Sequence, residues 1–250
     1  DQSRPVAFDL AQDKGWSCLT VLSNRDTWFR DPDVYGFFDQ LTDDGFFEDF
    51  DKVVFYGAGP CGYAACAYSV AAPGATVIAL EPQATLDPRV TEWDDRFVEM
   101  RMVDFTDRYG FAPDMLDAAE KAFVVYDPQR PLDAMHAALF KRDGISRFRA
   151  RHLGGGMQAH LVLMDVLSDL VGHAADGTLT DATFAQLYRK RRTYVTYTKK
   201  LYNVVEAADR PYALEAVCAY IVDSFGAPRY RRKLKSLRQA RAAAENEPET

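Results

Sequence analysis

The sequence predicts an α/β protein of three layers, a mostly parallel sheet with helices on both faces, followed by a C-terminal helical extension. Two observations predict it. Short apolar runs alternate with segments of helical periodicity through the first 175 residues, and such alternation specifies parallel strands covered on both faces. After "ADGTLTD" (175–181) the alternation stops and only helical patterns follow. The expected domains are therefore 1–175 and 176–250.

The elements follow in chain order. "SCLTVLS" (17–23) is a short apolar run ending in the turn-like "SNRD", which reads as a buried strand. In "DPDVYGFFDQL", Val34, Phe37, Phe38 and Leu41 recur at helical spacing. Asp31 or Asp33 can cap that helix, and Pro32 suits its first turn. "KVVFYG" is a strand, Gly62 to Ala72 a small-residue helix, and "ATVIAL" (75–80) another strand. "MLDAAEKAF" (115–123) reads as helix running into the strand "AFVVYD" (122–127). "LDAMHAALF" (132–140) is a helix, "ISRFRA" (145–150) a strand, and "GMQAHLVLMDVLSDLV" (156–171) a single apolar-faced helix. In the extension, one aromatic and aliphatic face leads to a bend at "EAADRP". A helix stopped by Gly226 and a basic helix fraying into a polar tail complete it.

Composition narrows the class. Of 250 residues, 48% are apolar, enough for a sizeable core. Cys18, Cys61, Cys66 and Cys218 form neither a metal-ligand pair nor a disulfide framework, which fits a reducing, cytoplasmic compartment and no metal site. No run is long enough to span a bilayer, so no membrane role is expected. The chain begins at Asp1, which leaves an upstream segment, a signal peptide included, open. Net charge is −7 but uneven, with 12 acidic and 5 basic residues in 1–60, against 9 and 14 in 176–250. "YRKRRTYVTYTKK" (188–200) holds six basic residues and no acidic one. The overall acidity favours a solvated or docked helix face there over nucleic-acid binding. Association of copies through these helices is a further expectation.

The chemistry concentrates at "VVFYGAGPCGY" (53–63), which reads in two ways. Gly57, Gly59 and Gly62 between a strand and a helix, with Glu81 at the end of the next strand, match a dinucleotide fingerprint for NAD or FAD. The same residues also match Gly-x-Ser-x-Gly with its serine missing. Three further segments bear on the choice: residues 16–97, "VVYDPQRPLDAMHAALF" (124–140) and "RHLGGG" (151–156). In pattern and order, over residues 13–170, they resemble bacterial proteins of the α/β-hydrolase superfamily, whose elbow reads like Gly-Ala-Ser-Met-Gly-Gly-Tyr. The resemblance implies a first strand upstream of Asp1, and a triad completed by Asp127 and His152. It also implies a vacancy, since Gly59 stands at the nucleophile and Pro60, without an N–H, at an oxyanion donor.

The resemblance thus implies a catalytically impaired protein, without cofactor, that binds a small ligand or partner. Gly59 is then expected to hold positive φ, with the Asp127 and His152 side chains close to hydrogen-bonding distance. Two alternatives remain: Cys61 acting with His152 and Asp127 in a hydrolase or acyltransferase, and a nucleotide-dependent oxidoreductase. Blander readings stand beside these. Cys61 can be a small packing residue, Asp127-Pro128 a strand-ending turn, and His136 a packed or surface histidine. The loop with Arg25, Asp26 and Trp28 can line a pocket or be a polar loop anchored by Trp28.

Overall fold

The computed structural model describes residues 4–245, with side chains to residue 243. Four strands form one parallel sheet: β1 (Val54–Ala58), β2 (Thr76–Leu80), β3 (Lys121–Tyr126) and β4 (Ile145–Arg149), in the order β1-β2-β3-β4. Val54 pairs with Thr76, Thr76 with Lys121, and Ala122 with Ile145. Among the described residues twelve α-helices follow in chain order: α1 (Phe8–Lys14), α2 (Pro32–Asp43), α3 (Pro60–Tyr68), α4 (Pro88–Thr91), α5 (Ala112–Met115), α6 (Pro131–Leu139), α7 (Met157–Leu163), α8 (Leu167–Ala175), α9 (Asp181–Leu187), α10 (Val195–Ala207), α11 (Pro211–Phe225) and α12 (Pro228–Glu245).

The strand order explains the layers. Crossovers of one hand that always step the same way across a sheet put their helices on one face. That face carries Val77, Ala79, Ala122, Val124 and Tyr126, packed in one cluster with Tyr63, Cys66 and Tyr68 of α3, Ala112 of α5 and Ala137 of α6. Helix α2 joins this layer by stacking Phe38 on Tyr68, with centroids 4.3 Å apart. The alternate residues Tyr56, Ile78, Leu80, Phe123, Val125 and Phe148 point to the opposite face, which only the chain after β4 is left to cover. Tyr56 donates to Gln158 of α7 at 2.7 Å, α8 packs on β2, and Phe184 of α9 stacks on Phe148 at 4.5 Å.

Two compact units result, Asp1–Leu187 and Tyr188–Thr250. The break follows α9, which Phe184 ties to the sheet. The second unit has its own small core of Tyr202, Leu214, Cys218, Ile221, Tyr230 and Leu234. Local signals there act as expected: Gly226 ends α11 with φ 64°, and Pro211 opens it.

Three sequence expectations need correction. Residues 17–23 form no strand; Leu19 and Leu22 are 52% and 82% exposed, and the run does not pair with the sheet. Residues 156–171 are not one helix, because Asp165 turns left-handed at φ 54° and separates α7 from α8. The helix expected over 115–123 is only α5 and a 3₁₀ turn to Ala118, since β3 already starts at Lys121. By contrast α2 starts as read, Asp31 accepting from the Asp33 N–H at 3.0 Å with Pro32 in the first turn.

Helix α3 approaches the end of β1 too closely for a side chain at Gly57. A Cβ on Gly57 would lie 2.0 Å from the Cys61 carbonyl oxygen, whereas one on Gly36, inside α2, meets nothing within 4 Å. Gly57→Ala is therefore expected to cost about 3 kcal/mol or more, and Gly36→Ala to add about 0.5–1 kcal/mol through helix propensity. Urea denaturation of both variants checks the pair.

Candidate functional site

The carboxyl ends of the four strands bring the predicted residues to one edge of the sheet. After β1 the chain turns at Gly59, whose φ of 56° and ψ of −123° only glycine adopts cheaply. Its N–H donates to the Leu80 carbonyl at 2.8 Å, and its carbonyl accepts from Tyr63 at 3.0 Å. A Cβ on Gly59 would meet no atom within 4 Å, so backbone conformation, not space, restricts that position. Gly62 packs α3 against the next strand, where a Cβ would stand 3.2 Å from the Leu80 oxygen.

Cys61, in the first turn of α3, is exposed at the residue level, yet partial burial of its sulfur pushes the thiol above its ordinary range. A nucleophilic cysteine needs the opposite shift. Glu81 follows β2 with φ 47°. Its Oε2 accepts the Met157 N–H at 3.1 Å at the start of α7. Its Oε1 is buried without a hydrogen-bond partner among the described residues, with Arg130 Nε 4.0 Å away. Burial pushes this carboxyl up, the Met157 N–H opposing in part. The ribose-acceptor position of the dinucleotide reading is thus occupied by an inward-turned acid.

Asp127 is 2% exposed at the end of β3. Oδ1 accepts from the backbone N–H of Gln129 at 3.0 Å and of His152 at 3.2 Å, while Oδ2 accepts from Gly154 at 2.7 Å. The first bond is an Asx turn; the other two latch the loop after β4 onto β3. Gln129 completes the latch, its Oε1 accepting the His152 N–H at 2.8 Å and its amide nitrogen standing 3.4 Å from His152 Nε2. His152 itself is left-handed at φ 63°. A Cβ on Gly155 would lie 3.0 Å from the Arg130 guanidinium carbon, so the guanidinium packs on the bare backbone there. Asp127 therefore engages His152 through the main chain.

A buried ionic chain runs beside this edge, and sequence reasoning did not single it out. His136 is fully buried on α6. Its Nδ1 accepts the Ala84 N–H at 3.2 Å, which leaves Nε2 to donate to Asp94 Oδ2 at 2.9 Å. Arg96 bridges Asp94 at 2.8 Å and Asp133 at 2.5 Å, and Arg130 binds Asp133 at 2.5 Å. Burial works to raise the Asp94 carboxyl, but hydrogen bonds from His136 and Arg96 outweigh it and hold it well below the usual carboxylate range. "DDR" at 94–96 with a histidine on an apolar helix face was the available signal.

Trp28 is buried and donates to Gln83 at 3.3 Å, so it anchors its loop, while Arg25 and Asp26 stay exposed. A cavity of about 310 Å³ opens among Thr85, Arg89, Phe105, Arg108 and Phe111, and does not include Gly59, Asp127 or His152. Among the described residues no cluster of three or more His, Cys, Asp or Glu could hold a metal, and no helix is long and apolar enough to cross a membrane. Comparisons with protein-family models, curated proteins and solved structures gave no match.

Glu81 supplies a pH test. An acid whose folded pKa is raised favours folding below its unfolded value of about 4.3, and that contribution is lost as pH rises through the folded value. Glu81→Gln keeps an acceptor for Met157 and removes the buried charge. It should raise the melting temperature by a few degrees at pH 8, the gain vanishing below about pH 4. Thermal denaturation across that range checks the sign.

Proposed function

We propose that this chain is an α/β-hydrolase-like protein whose nucleophile position is vacated, and that its carboxyl sheet edge binds a small ligand without turning it over. The observation that carries the reading is the turn at Gly59. A strand-to-helix turn at positive φ is where such folds expose their attacking serine, and here that turn holds a residue without a side chain. The order of the remaining positions supports it, with Asp127 after β3 and His152 in the loop after β4.

Three features argue against hydrolysis. Gly59 offers no nucleophile. Pro60 has no N–H to stabilise an oxyanion, a loss of about 10²–10³ in rate by itself. The Cys61 thiol is shifted away from thiolate. Ligand binding rests on position, because parallel sheets take ligands beyond the carboxyl ends of their strands. Of the glycines in the loop after β4, Gly156 is exposed and Gly155 partly so, which leaves backbone open to an incoming group there.

Hydrolysis of p-nitrophenyl butyrate tests the impairment. Wild type and Cys61→Ala should both stay at the uncatalysed rate. Gly59→Ser should gain little, and Gly59→Ser combined with Pro60→Ala should exceed the single variant at least tenfold. Robust wild-type turnover that survives Cys61→Ala would contradict the reading. Titration with the same ester, followed by amide NMR, should shift Gly59, Gly154 and Gly155; shifts confined elsewhere would contradict binding at this edge.

A further inference from the structure

The two units divide the charge of the chain sharply. Residues 1–187 carry 30 acidic and 16 basic side chains, whereas 188–250 carry 7 and 14. The acidity that argues against a polyanionic partner belongs to the first unit. The helical unit taken alone has the excess of cations that marks nucleic-acid binders.

Within that unit Arg191 packs on Tyr188 and Tyr197, whereas Arg231, Arg232, Lys235 and Arg238 of α12 are exposed. The core is made by Tyr202, Leu214, Cys218, Ile221, Tyr230 and Leu234, and cations occupy the outside of α12. Lys233 is neutralised by Glu206 at 2.9 Å. Arg238 and Arg241 both bind the Glu215 carboxylate, at 3.2 and 2.8 Å. Arg231 and Lys235 are exposed and have no ion pair among the described residues.

Arg231, Lys235 and Arg238, at i, i+4 and i+7, line one groove of about 410 Å³ with Leu234, Gln239 and Ala242. At 1.5 Å per residue their stripe is about 10 Å long, roughly three steps of a duplex strand at 3.4 Å each. The groove has no aromatic side chain on which an unpaired base could stack. We propose that this face of α12 binds the phosphate backbone of double-helical nucleic acid, without reading its sequence. Cation–phosphate contacts supply sequence-independent affinity through counterion release, and a stripe without stacking platforms suits a paired duplex.

Fluorescence anisotropy of a labelled 20-base-pair DNA, titrated with the full chain from 50 to 200 mM salt, tests it. The expected result is binding whose logarithm falls with log salt at a slope near −3, about −0.9 per phosphate contact. Arg231→Ala/Lys235→Ala should weaken binding at least tenfold and bring the slope near −1. Lys141→Ala, an exposed change in the first unit, should leave it unchanged. Circular dichroism of the double variant keeps a folding defect from passing as a binding defect. Absence of binding at 50 mM salt, insensitivity to the double variant, or binding to phosphatidylserine vesicles but not to the duplex would each overturn the proposal. So would chain–chain association abolished by the double variant without duplex binding.

Discussion

The architecture of the first unit depends on how closely α3 can approach the strands it follows. Gly57 has no room for a Cβ beside the Cys61 carbonyl, and Gly62 brings the helix against the Leu80 and Gly57 oxygens. Between them the chain must reverse within a few residues, and Gly59 takes up the required positive φ. If this approach loosened, α3 would lift from Val77 and Ala79, and the aromatic layer of Tyr35, Phe38 and Tyr68 would lose its support. The same turn aims the start of α3 at the carboxyl edge. One steric constraint therefore sets both the packing of a sheet face and the geometry of the candidate site.

A second constraint is topological. Strands added in sequence order leave one face bare after β4, and α7, α8 and α9 close it. The loop that begins this closure is held by the Asp127 carboxylate and Gln129. A buried carboxylate with three backbone donors is a strong, specific fastener. Where the resemblance to hydrolases implies that Asp127 orients a histidine ring, the structure finds it fastening the main chain of the same histidine. The two roles share one position, since both need an acid at the end of β3 facing the loop after β4.

Much of this was legible because local chemistry and tertiary need agree. Asp31-Pro32 starts a helix, Gly226 stops one, and the Val- and Ile-rich runs at β2 and β3 have partners on both sides. The run at 17–23 misled because apolar composition does not supply a neighbouring strand; only Val21 packs against the core, and the rest lie exposed. Helical spacing across 156–171 hid the left-handed Asp165, a backbone fact without a periodic signature. His136 is packed, one of its two expected settings, but its partner Asp94 was not legible because it lies 42 residues earlier in sequence. The turn at Gly59 was legible because its spacing is local. The Asp127 turn onto Gln129 is local too, but its bonds to the His152 and Gly154 N–H groups were not legible, because they arise from loop closure.

The central claim is that Gly59 occupies a nucleophile's seat from which the nucleophile is gone. Incubation with an alkyl fluorophosphonate, read by intact and peptide mass spectrometry, tests it most directly. The account predicts no adduct on the wild-type chain, and one adduct on the Gly59→Ser/Pro60→Ala variant, mapped to the peptide containing residue 59. A wild-type adduct, or a double variant that stays unmodified while folded, would contradict it.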